Sequence, residues 1–133
     1  MQNLLYALIQ IAHNFGAVII VGVSAYGAFF GFGRFKRLLA VAQVCAWGVQ
    51  GVTGGAFGLT TFYYHHQLPD IHGIALMALV IKVTCVIFGF ALGTAYVFRC
   101  YKISPALDLA FWRLTFFLSG IALSSAAFLR WFS

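Results

Sequence analysis

Glutamate is absent from this 133-residue chain, and aspartate occurs only at Asp70 and Asp108. Charged residues of both signs make up 8% of it, against roughly 25% in soluble globular domains. Hydrophobic residues reach 63%, so there is too little polar surface to coat a globule in water. The same apolar content excludes a disordered chain. Three cysteines without a CxxC pair exclude a secreted disulfide scaffold and a paired-cysteine metal site. Walker, GxSxG, HExxH and CxxCH patterns are all missing, which removes the motif-based routes to an NTPase, a serine hydrolase, a zincin or a c-type cytochrome. No period of 20 to 50 residues marks a repeat protein.

What is present is long apolar sequence, interrupted by charge at Lys82 in the third stretch and at Asp108, Arg113 and Arg130 in the fourth. Residues 4–30, 38–64, 72–98 and 107–132 are apolar stretches, each longer than the about 20 residues needed to cross a bilayer. They predict an all-α integral membrane domain of four transmembrane helices. The connections are short, so sequential helices run antiparallel in an up-down bundle. Ser104 and Pro105 are expected to open the fourth helix as N-cap and first helical residue. Asp70 is a candidate cap for the third. The first stretch lacks a basic leader and is about twice the usual 7–15-residue signal-peptide core, so it is expected to be a span.

The eight lysines and arginines are unevenly placed. Arg34, Lys36 and Arg37 lie in the first connection and Arg99 and Lys102 in the third, while the second has none. The positive-inside rule puts the first and third connections in the cytoplasm and both termini on the outer, periplasmic side of a bacterial inner membrane. Together with Arg113 near the start of the fourth span, these residues are candidates for lipid headgroup contact. The net charge of +6 is thereby largely explained by insertion, and no nucleic-acid motif accompanies it. Gly51-Val-Thr-Gly-Gly55 and Gly89-Phe-Ala-Leu-Gly93 have the small-xxx-small spacing that lets membrane helices approach closely.

Ionisable groups inside the spans ask for a reason, because a charge at the bilayer centre costs on the order of 2.5–3.5 kcal/mol on insertion scales. His13 lies nine residues into the first span and Lys82 ten residues into the third, both about 13–15 Å deep at 1.5 Å per residue. Gln50 rises to a similar level. His13, Asn14, Gln50, Lys82 and Thr84 are therefore expected to form a polar layer, with His13, Lys82 and Gln50 as its cofactor-binding candidates. Such a layer suits a proton or quinone site, or contact with haem propionates. A second cluster, His65, His66, Asp70 and His72, offers three imidazoles and a carboxylate at the outer surface, a donor set that suits copper, zinc or iron. The plain alternatives are a satisfied hydrogen-bonded cluster for the first and an ordinary interfacial loop for the second.

The segment Ile11-Ala12-His13-Asn14-Phe15-Gly16-Ala17, followed by Val21-Gly22 and by Lys82 within Leu79-Val80-Ile81-Lys82-Val83, resembles four-helix membrane proteins of the copper-resistance protein D and J-type protoporphyrinogen oxidase families. The resemblance implies a first-helix histidine and third-helix lysine engaged in copper handling or in haem and porphyrin chemistry. Val21 stands where those families carry a tryptophan, and a further histidine late in the third span is missing.

Three expectations follow. The first is an accessory or structural subunit of a larger energy-transducing or redox complex, in contact with lipid and other membrane subunits and without catalysis of its own. The second is a haem- or copper-handling protein using His13 and Lys82 or the His65 to His72 loop. The third is a small transporter.

Overall fold

A computed structural model describes residues 2–31, 33–66 and 71–132. Four helices account for nearly all of them: α1 (Gln2–Phe29), α2 (Lys36–His65), α3 (Gly73–Arg99) and α4 (Pro105–Phe132), with one 3-10 turn at Gly33–Phe35. Their ends fall within about two residues of the apolar stretches. At 27 to 30 residues, each is roughly 40–45 Å long, enough to cross a hydrocarbon core of about 30 Å. All four are apolar enough to do so.

Local chemistry sets the breaks. Gly33 adopts φ +49° and Gly73 φ +54°, a left-handed conformation that costs glycine least. α2 ends on His66 in the same region, its N–H bonded to the Phe62 carbonyl. At the start of α4 the Ser104 hydroxyl accepts the Leu107 N–H at 3.3 Å, and the Ser104 carbonyl accepts the Asp108 N–H at 2.9 Å. This is the expected cap, with Pro105 at the first helical position. The cap of α3 is His72 in an extended conformation, with no side-chain cap bond. The proposed cap Asp70 lies outside the described residues, as do Gln67, Leu68 and Pro69.

The helices form a closed ring. α1 packs on α2, α2 on α3, α3 on α4 and α4 back on α1, while among the described residues α1 and α3, and α2 and α4, face each other across the centre without close backbone approach. The first turn of α1 meets the last of α2 through Gln2 and His65, and Tyr6 and Thr61 bond one turn further in. The end of α3 meets the start of α4, where Tyr96 stacks on Phe111 with ring centroids 3.9 Å apart.

The interior combines small and polar residues with a few large side chains, Ile20, Trp47, Tyr96 and Trp112; the exterior is apolar. Ser24, Gln43, Gln50, Thr53, Thr60, Thr115, Ser119 and Ser125 are buried, while Phe15, Val18, Val52, Leu59 and Phe117 are each about two-thirds or more exposed. Continuous apolar faces of this extent are stable only against lipid or other protein. Close approach between α2 and α3 occurs at two of the predicted glycines. A Cβ at Gly89 would lie 2.7 Å from Cδ2 of the Trp47 indole, and one at Gly93 would lie 2.6 Å from Cγ2 of Val44. Gly51 only grazes Val86 and Gly55 meets nothing within 4 Å, so one of the two small-residue motifs sets a close contact and the other does not.

Candidate functional site

Gly16 opens the site. With no side chain there, α2 comes near enough for the Gln50 amide nitrogen to lie 3.1 Å from where a Cβ would be, and Gln50 donates a hydrogen bond to the His13 backbone carbonyl. One turn along α2, the Thr53 hydroxyl is 2.7 Å from His13 Nδ1 and donates to the Val49 carbonyl at 2.5 Å. A hydroxyl has one hydrogen. With the Thr53 hydrogen directed to Val49, its oxygen is the acceptor for His13, an arrangement that corresponds to the Nδ1–H tautomer.

The lone pair on His13 Nε2 then points across the ring axis. Lys82, from the diagonally opposite helix α3, meets it with Nζ at 3.0 Å and donates. The edge of the Phe57 ring closes one side, with centroids 5.8 Å apart. The result is an ordered chain, Lys82 Nζ–H to His13 Nε2, then Nδ1–H to Thr53, then Thr53 to the Val49 carbonyl. It ends at a backbone carbonyl, which has no proton of its own to pass on.

Among the described residues, no carboxylate joins it. Of the two aspartates, Asp108 is engaged at the other end of the bundle and Asp70 is outside the described residues. The layer thus contains two nitrogen bases and two neutral hydrogen-bonding groups. Asn14 and Thr84, expected in the layer, are both exposed, and Asn14 instead accepts from Gln10 on the outer surface of α1 at 2.7 Å. Thr53 is the member that sequence reading omitted; its only signal was its place three residues after Gln50 on the same helix face.

The arrangement can be tested against a haem or metal. Two nitrogen ligands on opposite sides of one ion stand about 4 Å apart, given metal–nitrogen bonds near 2.0–2.1 Å. The 3.0 Å separation of Lys82 and His13 is a hydrogen bond and does not fit a haem iron held between them. In the second cluster, His65 Nε2 is engaged by the Gln2 amide at 3.1 Å. Among the described residues, no three histidine, cysteine or acidic side chains come together as a metal site, and Asp70 falls outside them.

A further polar cluster stands at the far end. Tyr96 donates to Asp108, the Trp112 indole N–H donates to the same carboxylate at 3.2 Å, and Lys36 pairs with it at 3.6 Å. Lys36, expected at lipid headgroups, is therefore partly committed to an internal ion pair, whereas Arg34, Arg37, Arg99, Lys102 and Arg113 are exposed. Trp112 is four residues after Asp108, the helical spacing that could have revealed the contact. Cys45, Cys85 and Cys100 are free thiols. No protein family, curated protein or solved structure matches the chain.

Proposed function

We propose that the chain is an accessory subunit of a larger membrane complex of the energy-transducing or redox kind. In this reading, the His13–Lys82 pair is the point at which it meets a proton or an acidic group of that complex. The helices run up-down-up-down with both termini on the outer face of a bacterial inner membrane, the orientation the Arg34 to Arg37 and Arg99 to Lys102 groups favour.

The observation that carries the reading is the hydrogen bond from Lys82 to His13 across the bundle diagonal, with no carboxylate beside it among the described residues. A lysine in a membrane helix is costly, and packing alone would be served by methionine or leucine. An imidazole held in one tautomer beside an amine is suited to keep a proton available, or to offer positive charge to a carboxylate from a partner chain or cofactor. The very short connections support the subunit part, since they leave almost no polar surface for an independent activity.

The test is mild extraction from the native membrane, followed by native electrophoresis and mass spectrometry, for wild type and Lys82→Met. Wild-type chain migrating with larger partners, and Lys82→Met migrating apart from them, supports the proposal. A monodisperse single chain in both cases sinks it.

A further inference from the structure

Between the His13 layer and the Asp108 cluster lies a third polar level that neither uses. Apolar contacts bracket it: Ile20, Ala46 and Trp47 on one side, with Ala122 against them, and Ala28, Ala40, Tyr96, Cys100 and Trp112 on the other. Helical register puts Ser24 of α1, Gln43 of α2, and Thr115 and Ser119 of α4 between those clusters. All four are at most 2% exposed.

Their hydrogen-bonding capacity is unbalanced. Ser24 donates to the Ile20 carbonyl, Ser119 to that of Phe116 and Thr115 to that of Trp112, and the two serine oxygens are 3.3 Å apart. The hydroxyl hydrogens are thus directed to their own helices and their lone pairs remain. Among the described residues, the Gln43 amide nitrogen and amide oxygen have no partner, and neither does the Trp47 indole nitrogen one turn along α2. Buried polar atoms are nearly always paired with protein or ordered water, and three orphans on two adjacent residues point to a ligand.

We propose that this level binds internal water, seated on the Gln43 amide and the Trp47 indole N–H and bridging to the Ser24 and Ser119 hydroxyls. The chemistry selects water over an ion: the level contains no formal charge, it offers donors from Gln43 and Trp47 together with acceptors from Gln43 and the hydroxyls, and a buried water uses both kinds, typically making about three hydrogen bonds. The tight contacts of Trp47 with Gly89 and of Val44 with Gly93 hold α2 close against α3 beside this level, which favours a small occupant. Water there ties α1, α2 and α4 together at a level between the two side-chain networks. It also places a polar station between the His13 layer and the Asp108 cluster, seven residues or roughly 10 Å along α2 from Gln50. The inference is independent of what Lys82 does.

The test is nuclear magnetic resonance on the full chain in lipid nanodiscs with labelled tryptophan, the Trp47 signal being assigned with Trp47→Phe. A cross-peak between water and the Trp47 indole proton is expected in wild type and is lost in Gln43→Leu, which has similar volume and no amide. Absence of that cross-peak in folded wild type overturns the proposal, whatever the variant does. So does a cross-peak of full strength in a Gln43→Leu chain of unchanged helicity, because the water would then not be held by Gln43. Should Gln43→Leu fail to fold, Ser24→Ala takes its place, and a weakened cross-peak is expected.

Discussion

The two lysines that reach into the bundle are held in opposite ways. Lys36 lies at one end, paired at 3.6 Å with Asp108, which also receives Tyr96 and Trp112. Lys82 lies about ten residues inside its span and, among the described residues, hydrogen-bonds the nitrogen of an imidazole. The first arrangement joins opposite charges across the α2–α4 diagonal at the end of the bundle and adds to stability. The second joins two bases across the α1–α3 diagonal, deep in the span. Stability alone does not call for it, and that contrast separates a structural cation from one available for function.

The contrast can be broken at either end. Asp108→Leu is expected to have the largest effect on stability, about 3 kcal/mol, because hydrogen bonds to a charged acceptor are worth about 1.5–3 kcal/mol each and the partly exposed ion pair adds less. Denaturant unfolding in mild detergent, followed by circular dichroism, measures it. A loss below that of Lys82→Met would reverse the assignment of the two lysines. Gly89→Ala should follow, at about 1–3 kcal/mol for overpacking against a rigid indole, while Gly22→Ala, with open space around it, should cost far less in the same assay.

Thr53→Val sharpens the other end. It keeps the shape and removes the oxygen that accepts from His13, so a loss of about 1 kcal/mol is expected. A proton on His13 Nδ1 is expected to exchange slowly in wild type and fast in Thr53→Val in a nitrogen-15 spectrum; an equal exchange rate in the two would mean that Thr53 does not hold the tautomer. Lys82→Met is expected to have the smallest effect on stability, under about 1 kcal/mol. Its effect should appear in association instead.

Much of the fold was legible because membrane spans announce themselves by length: each helix follows a long apolar stretch in the sequence, and Ser104-Pro105 marks where α4 begins. Depth was legible too, since a fixed rise per residue places His13, Gln50 and Lys82 at one level. Direction around the helix was not. Asn14 shares the depth of His13 but lies about 100° further round α1, and it faces outward, as does Thr84. Thr53 escaped notice because threonine is ordinary in membrane helices and becomes informative only once His13 Nδ1 is seen against it. The Gln43 and Trp47 orphans could not be read at all, because an unpaired atom is a property of its neighbours on other helices.

The most direct measurement is the size and composition of the native particle carrying wild-type chain beside that carrying Lys82→Met, each extracted from the same membrane under the same mild conditions. A large wild-type particle, and a well-folded Lys82→Met chain that has left it, is the expected result. A Lys82→Met chain that stays in the particle but unfolds several kcal/mol more easily would contradict it, and would make Lys82 a structural residue of the same kind as Lys36.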